Sequence, residues 1–218
     1  DQRQFPKAEK YLKRSLLYKT QLLASDTPDL GKQILEAQII PDDSQHSLFV
    51  GAALYDRFRP VFDDMGPQNR ESIGTSLNQI GLTYWEQGRN KEAEPLYLLS
   101  LAIRRTTAGE NSPEYARTLT NLGLLYNTDG RYDEAEPHLL AALKIREGIL
   151  DPNHPDLAHS FNNLALLYDN LDQPVKAAPL YEKALAIRQK SLGSSHPKSI
   201  LTLELLANLY LREANYTN

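Results

Sequence analysis

Apolar side chains recur at helical spacing along most of the chain, and the same arrangement returns several times. In the segment 118–131, TLTNLGLLYNTDGR, leucines and a tyrosine follow one another every three or four residues. This spacing places them on one face of an α-helix, and Gly130 marks the turn that follows. The segment 132–149 carries a second apolar face, made of Ala135, Leu139, Ala142, Leu143 and Ile145. Each unit of sequence is therefore predicted to form a pair of helices.

The helix pair repeats with a period of 42 residues. The related segments NKEAEPLYLLSLAIRRTT, YDEAEPHLLAALKIREGI and PVKAAPLYEKALAIRQKS begin at residues 90, 132 and 174. The segment before each of them carries a small residue at a fixed place and a tyrosine three positions later. The small residues are Gly81, Gly123, Ala165 and Ala207, and the tyrosines are Tyr84, Tyr126, Tyr168 and Tyr210. Because a small residue lets another helix approach closely, we predict that the helices of each pair cross there.

The order of these residues resembles the tetratricopeptide repeat. Ile80-Gly81-x-x-Tyr84 is followed by Ala93-x-x-x-Tyr97, then by Ser100 and later by Pro113. The usual period of that family is about 34 residues, and the extra residues here lengthen the second helix and its connector. This longer form is similar to the repeats of kinesin light chains. The resemblance implies an all-α fold, a right-handed superhelical solenoid of antiparallel helix pairs, with about five repeats' worth of chain and ten helices.

The whole chain, residues 1–218, is predicted to be a single array. Phe5 matches Tyr132 and Pro28 matches Pro155, so the N-terminal segment aligns with a second helix at an offset of 127 residues. The predicted divisions are the second helix of a truncated repeat at 1–27, a degenerate repeat at 28–68, regular repeats at 69–111, 112–153 and 154–195, and the first helix of a truncated repeat at 196–218.

The degenerate repeat is expected to contain a short helix ending near Pro41 and a helix from about His46 to Asp64. Natural arrays usually close with a polar capping element, and we find none at either end of this sequence. We therefore expect exposed apolar surface at both ends, and end-to-end self-association through the uncapped terminal helices.

Composition narrows the functional classes. The formal net charge of −4 disfavours nucleic acid as a partner, because phosphate binding needs a basic surface. The absence of cysteine excludes disulfides, thiolate zinc sites and a cysteine nucleophile. No apolar run approaches the roughly 18 residues that span a bilayer, so no membrane is expected. We expect no cofactor and a cytoplasmic location.

The sequence contains no phosphate-binding glycine loop and no H-E-x-x-H metal motif. His154 and His196 stand one repeat apart at predicted helix starts, so we assign them a structural role. The adjacent acidic pairs at 42–43 and 63–64 are assigned to turns and helix ends. We therefore predict neither a catalytic nor a metal site, and we do not expect an enzyme.

Stacked helix pairs expose a concave face lined by the first helix of each pair. Residues six, three and two places before the small residue, and one and four places after it, are predicted to face inwards. Side-chain amides suit this face, because they can both donate to and accept from the backbone of an extended peptide. The predicted groove residues are Thr75, Asn78, Gln79, Leu82, Arg117, Thr120, Asn121, Leu124, Asn127, His159, Asn162, Asn163, Leu166, Asp169, Glu204 and Asn208.

Arg117 and Asn121 resemble part of the carboxylate clamp by which some tetratricopeptide domains hold chaperone C-termini. His159 replaces a lysine or arginine of that pattern, and Leu201 and Leu205 replace its remaining polar members, so we do not predict chaperone-tail binding. Kinesin light chains use a comparable polar groove for short cargo peptides, and that resemblance is nearer in sequence.

Two functional interpretations remain open. In the first, the chain is a protein-interaction scaffold that binds an extended peptide or partner segment in the concave groove. In the second, it is a structural spacer, or an oligomerising or regulatory arm, of a larger multidomain signalling protein and has no ligand groove. The asparagines would then form a ladder that orders the stack. Arg104, Arg146 and Arg188 recur near the end of the second helix, where we assign them to helix-dipole and salt-bridge roles.

Overall fold

The fold was obtained as a computed structural model that describes residues 5–23, 30–36 and 47–216. These residues form ten α-helices and contain no strand, which confirms the all-α prediction. In chain order the helices are α1 (Phe5–Leu23), α2 (Leu30–Glu36), α3 (Ser47–Asp63), α4 (Pro67–Glu86), α5 (Asn90–Thr107), α6 (Pro113–Thr128), α7 (Tyr132–Ile149), α8 (Pro155–Asn170), α9 (Pro174–Leu192) and α10 (Pro197–Tyr216).

Many of the helices begin at a proline, where the missing N–H would have no intrahelical partner. The residue before that proline often caps the helix. Ser112 Oγ accepts from the backbone N–H of Tyr115 over 3.2 Å, as expected of a serine N-cap. His154 and His196 do the same with Nδ1, which accepts a backbone N–H two residues on at 3.1 and 3.2 Å. Both histidines therefore have the structural role that their repeated position predicted.

The turn between the helices of a pair needs one residue in the left-handed region of the backbone. Gly88 and Gly130 take φ values of 74° and 75° there, and Asp172 occupies the equivalent place with φ of 55°. Glycine adopts this conformation without a Cβ clash, and aspartate is among the few other residues that tolerate it. The same turn thus recurs at the 42-residue period with two different residues.

The structure describes part of the degenerate repeat that was predicted at 28–68. The second of its helices, α3, runs from Ser47 to Asp63, within a residue of the predicted limits. The first, α2, is described as far as Glu36, and the predicted end near Pro41 lies outside the described residues. His46 and the acidic pair at 42–43 also lie outside them.

The chain forms two compact units, Asp1–Leu125 and Tyr126–Asn218, and the boundary falls within α6. In the first unit, α4 packs along α5 and also contacts α1, while α3 packs on α5 and α2 packs on α1. Gly81 lies where α4 crosses α5, because a Cβ placed there would stand 2.9 Å from Cε1 of Tyr97. The close helix approach predicted at the small residue is therefore confirmed at this crossing.

In the second unit, α8 packs along α9, α7 packs on α8, and α9 packs on α10. The repeated small residue and tyrosine are buried on α8, as Ala165 and Tyr168. On α10 the equivalent Tyr210 is 44% exposed, because α9 covers only one side of that helix. Its hydroxyl donates to Oε1 of Glu182 over 2.9 Å. The apolar spine predicted from the repeat is thus continuous from α7 to α9 and opens towards solvent on α10.

Candidate functional site

In the first unit, a side-chain hydrogen bond joins candidate groove residues of α4 and α6. Asn121 Nδ2 donates to Asn78 Oδ1 over 3.0 Å. Asn78 is only 4% exposed, so its amide is committed to this internal contact. Asn121 is half-buried, and its side chain retains a second N–H and a carbonyl oxygen. The structure therefore brings these two predicted residues together and leaves one of them accessible.

Two threonines of the predicted set are also used internally. Thr75 Oγ1 accepts from Nη2 of Arg104 over 3.1 Å, and the buried Thr120 donates to the carbonyl of Ala116 on its own helix. The other candidates of this unit differ in their access to solvent, with Gln79 and Arg117 exposed and Leu82 and Leu124 half-buried. Of the predicted groove residues on α4 and α6, the accessible polar ones are therefore Gln79, Arg117 and Asn121.

The second unit contains two contacts of the same kind between first helices. Asn170 Nδ2 donates to Oδ1 of the buried Asn127 over 3.0 Å. Farther along the chain, Arg212 donates to a carboxylate oxygen of Asp169. Asn127 and Asp169 were predicted groove residues, whereas sequence reasoning missed their partners Asn170 and Arg212.

All three contacts share one register. Asn78–Asn121, Asn127–Asn170 and Asp169–Arg212 each join residues 43 positions apart. Because the repeat period is 42, each bond joins a residue to the one that follows its equivalent in the next repeat. A search for polar pairs at this spacing would have found both missed partners. These amides and charges link first helices, as the ladder interpretation expects.

A cationic cluster lies near the start of α8 and α10. Lys198 Nζ stands 3.4 Å from Nε2 of the half-buried His159. Burial lowers the pKa of His159, and the nearby charges of Lys198 and Arg188 lower it further. The neutral imidazole can therefore accept a hydrogen bond from the ammonium group. Asn162 Oδ1 accepts from Nη1 of Arg188 over 3.1 Å, so this amide too is partly used inside the protein.

The remaining candidates of the second unit lie on α8 and α10 and make none of the three ladder contacts described above. Asn163 and Leu166 on α8 are half-buried, and Glu204 and Asn208 on α10 are exposed. The accessible candidates of this unit therefore comprise two amides, an apolar side chain and an acidic group, and the basic Lys198 lies near them on α10.

The repeated arginines of the second helices have a role that their spacing in the sequence did not suggest. Arg104 is fully buried, and its Nη1 donates to Thr118 Oγ1 and to the carbonyl of Glu114, both on α6. Its Nε donates to Oε1 of Glu71 on α4 at 3.1 Å. The guanidinium therefore joins the first helix of its own pair to the first helix of the next pair.

The same arrangement recurs at the other two arginines. Arg146 Nη1 donates to Ser160 Oγ over 2.6 Å, and Arg188 donates to Thr202 Oγ1 and to the carbonyl of Lys198. In each case the hydroxyl lies 14 residues after the arginine. The assigned salt-bridge role is confirmed at Arg104, which pairs with Glu71, and Arg104 and Arg146 lie in the last turns of their helices as predicted. The assignment did not include the bonds that the planar guanidinium donates to the next helix. An arginine followed 14 residues later by serine or threonine is the signal that would have shown them.

The described residues show no candidate metal site. They contain no group of three or more histidine, aspartate or glutamate side chains able to hold a metal ion. His138 Nδ1 lies 2.7 Å from the carbonyl of Glu134 on its own helix, and its ring packs edge-on against Tyr126. Asp63 forms an ion pair with Arg70 at the end of α3. None of the helices in the described part of the chain is long and apolar enough to cross a membrane.

Comparison with known proteins connects this geometry to a family. The family model described as tetratricopeptide repeat matches residues 72–147 and 121–190. Among curated proteins, no sequence matches the chain significantly.

Many solved structures share the fold. The crystal structure of BtubC (BKLC) from P. vanneervenii has a TM-score of 0.63 and 21% identity, covering 98% of this chain and 85% of that one. A Podosopora anserina kinesin light chain protein with nearly identical TPR-like repeats has a TM-score of 0.56 and 23% identity, covering 79% and 90%. A substituted variant of that protein has a TM-score of 0.60 and 23% identity, covering 94% and 89%.

These neighbours are helical-repeat solenoids, in agreement with the helix pairs described above. The matched family is not a catalytic one. Since the matched residues extend over more than half of the 218 residues, the chain belongs to the tetratricopeptide repeat family.

Proposed function

We propose that the chain is a protein-interaction scaffold that binds an extended peptide segment along the first helices of its repeats. Tetratricopeptide repeats generally mediate protein–protein interaction. The more specific proposal of a peptide-binding groove rests on the different burial of Asn78 and Asn121, the two amides that are bonded to each other. Asn78 is buried and committed, whereas Asn121 keeps donor and acceptor capacity on an accessible surface beside the exposed Gln79 and Arg117.

An extended peptide presents backbone N–H and C=O groups in alternation, and a half-buried amide can serve both kinds. In the first unit Asn121 would supply these contacts, and in the second unit Asn163 would do so from the equivalent place on α8. The groove residues carry both signs of charge, with Arg117 on α6 and Glu204 on α10. Backbone recognition therefore suits this surface better than recognition of one charged side chain.

We expect Asn121→Ala combined with Asn163→Ala to weaken peptide binding at least tenfold, about 1.4 kcal/mol. The measurement is binding of an array of fluorescent peptides to the folded protein, followed by titration of the best peptide. Loss of the Asn78–Asn121 bond should cost the fold only about 1 kcal/mol, so the circular dichroism of the variant should stay helical. The matched control replaces Asn111 and Gln189, two exposed amides outside the candidate groove, by alanine.

The alternative interpretation makes the opposite forecast. If the amides serve only to order a spacer arm, the double variant loses the stability of the Asn78–Asn121 bond but no peptide of the array depends on Asn121 or Asn163. Unchanged peptide binding by a folded double variant would remove the groove assignment.

Self-association is a second candidate, favoured by the apolar surface of α10. Helix α10 aligns with the first helix of a pair and exposes Ile200, Leu203 and Leu211. Helix α1 aligns with the second helix of a pair and exposes Tyr11 and Leu17. A first helix of one copy and a second helix of another copy would together complete a repeat. The proposed arrangement is therefore head to tail between copies.

We expect the weight-average mass from light scattering to rise with protein concentration, and Leu203→Glu to abolish the rise. Leu140→Glu, which changes an exposed leucine on α7, is the control and should leave association unchanged. A wild-type protein that stays monomeric up to millimolar concentration would contradict head-to-tail association.

A further inference from the structure

Helix α1 contacts a side-chain hydroxyl and a backbone carbonyl on α4. Later second helices contact the same two kinds of acceptor on the first helix that follows them. Lys19 Nζ donates to Ser76 Oγ over 2.9 Å and lies 3.4 Å from the carbonyl oxygen of Ser72. Arg104 and Arg188 likewise bind a hydroxyl and the carbonyl four residues before it. Lys19 also aligns with Arg146 at the offset of 127 residues. A lysine on α1 thus performs the contact that arginines perform on α5 and α9.

The other end of α1 supports the same equivalence. Glu9 Oε2 accepts from Nη1 of Arg89 over 3.0 Å, and the guanidinium of Arg89 lies 4.0 Å from the ring centroid of Tyr84. In the second unit Glu136, which aligns with Glu9, accepts from the hydroxyl of Tyr168, the equivalent of Tyr84. Lys13 of α1 also lies over the ring of Tyr84, with Nζ 5.2 Å from the ring centroid. The Glu9 end of α1 therefore lies beside the end of α4 and the turn that follows it, as α7 lies beside α8 at Glu136 and Tyr168.

The spacing along the chain differs sharply. Lys19 and Ser76 are 57 residues apart, whereas the three arginines lie 14 residues before their hydroxyl partners. The excess is 43 residues, one repeat length to within a single residue. The segment between α1 and α4, of which the structure describes α2 and α3, is therefore an additional repeat's worth of chain at a junction that does not need it.

Of this additional segment, α2 packs on α1 and α3 packs on α5. Leu98 and Leu99 of α5 are each 2% exposed, and the equivalent residues of α9 are the exposed Glu182 and Lys183. The run LYLLSLAI is thus apolar on more than one face, as a helix packed on several sides must be. The apolar residues at these positions of α5, where α9 has charged residues, indicate that a further helix covers α5.

The helix in that place is α3. Its Leu54 lines a small cavity together with Leu96 and Leu99 of α5, and its Tyr55 hydroxyl lies 3.2 Å from Oγ1 of Thr106. Tyr55, Phe58 and Phe62 are buried and occur at positions i, i+3 and i+7. The surface of α5 therefore accepts an amphipathic helix that carries an aromatic row.

We propose that the segment between α1 and α4 is a displaced repeat. The helix stack passes directly from α1 to α4, and α3 is the in-chain ligand of a helix-docking surface formed by Leu96, Leu98 and Leu99 on α5. The kind of partner this surface fits is an amphipathic helix with aromatic side chains three and four residues apart, the mode in which a helix lies in an apolar groove.

The first test measures whether α1 stacks on α4 in the full chain. A double-mutant cycle with Lys19→Met and Ser76→Ala should be non-additive, with the double variant losing several-fold less in folding constant than the product of the single losses. The control cycle pairs Lys19→Met with Ser191→Ala on α9 and should be additive. An additive Lys19–Ser76 cycle would overturn the direct stacking, because it would mean that another helix stands between α1 and α4.

The second test separates α3 from the stack. Leu98→Glu with Leu99→Lys gives α5 the residues that α9 has, and hydrogen exchange should then lose at least tenfold protection in α3 alone. Protection of α1 and α4 should be unchanged. Simultaneous loss in α1, α3 and α4 would show that α3 is an integral layer of the stack and would refute the displacement.

The third test probes the docking surface itself. Phe58→Asp with Phe62→Asp should release α3 from α5 in the full chain. A synthetic peptide of residues 47–63 should then bind this variant and raise its melting temperature, while wild-type protein, whose surface is occupied, should not bind it. Failure of the peptide to bind a variant that is still helical by circular dichroism would contradict the helix-docking surface.

Discussion

Arg104→Met is expected to lower the free energy of unfolding by about 3–5 kcal/mol, the range found when one partner of a buried charged network is removed. Arg104 is fully buried, and its guanidinium donates to Glu71, Thr75, Glu114 and Thr118. Methionine fills much of the volume but leaves these acceptors without their donor. Urea denaturation monitored by circular dichroism measures the change.

The matched control is Arg105→Met, one residue farther along α5. The side chain of Arg105 is 68% exposed and pairs with Glu110, whose side chain is 55% exposed. Exposed ion pairs contribute at most about 1 kcal/mol, so this variant should unfold at nearly the wild-type urea concentration. Equal effects of the two substitutions would contradict the bridging role of Arg104.

Arg104→Lys should lower the free energy of unfolding by less than Arg104→Met and by more than Arg105→Met. Lys19 shows that an ammonium group can reach the serine hydroxyl and the carbonyl at the α1–α4 contact. A single ammonium on the shorter, unforked side chain cannot also serve Glu71 and Thr75 in the directions that the guanidinium does. The lysine variant therefore keeps the bond to the next helix and loses the bonds to its own first helix.

Gly81→Leu is expected to destabilise the first unit by about 1–3 kcal/mol, the usual cost of overpacking a core. A Cβ at this position would lie 2.9 Å from Cε1 and 3.0 Å from Cδ1 of Tyr97, whose ring is fully buried. The leucine side chain must therefore displace either the ring or the whole of α5. The melting temperature and the urea midpoint are the measurements.

Two comparisons sharpen this result. Gly81→Ala should cost less, because Ala165 occupies the equivalent place on α8 and the equivalent Tyr181 is buried on α9. Gly148→Leu, at a helical glycine with no atom within 4 Å of a new Cβ, should leave stability unchanged or raise it by up to about 1 kcal/mol. A Gly81→Leu variant as stable as wild type would show that α4 and α5 do not cross at this residue.

Burial of the candidate groove residues could not be predicted from their spacing. Counting from the small residue placed Asn78 and Asn121 on the same predicted face, yet only Asn121 is accessible. The two repeats are offset by one residue across the ladder, so equivalent positions do not face each other. Which amide is covered depends on that offset, and nothing in the composition of one helix reveals it.

The helix pairs and their period follow from the amino-acid order alone, because the signals for these are local. Apolar spacing, a cap such as Ser112 and the turn glycine at Gly130 all act within about one helix length, so each pair is specified by its own residues. Repetition of those residues is also enough to place the chain among tetratricopeptide repeats.

The choice of neighbour for each helix is instead a property of the folded chain. Lys19 and Arg146 align in sequence, yet one finds its hydroxyl 57 residues away and the other 14. A helix with the right apolar face can pack on any matching neighbour, and the choice depends on the total burial and hydrogen bonding of all helices together. That is why the repeat pattern predicted α1 and α3 as helices but could not show that α4 takes α1, and α5 takes α3, as its neighbour.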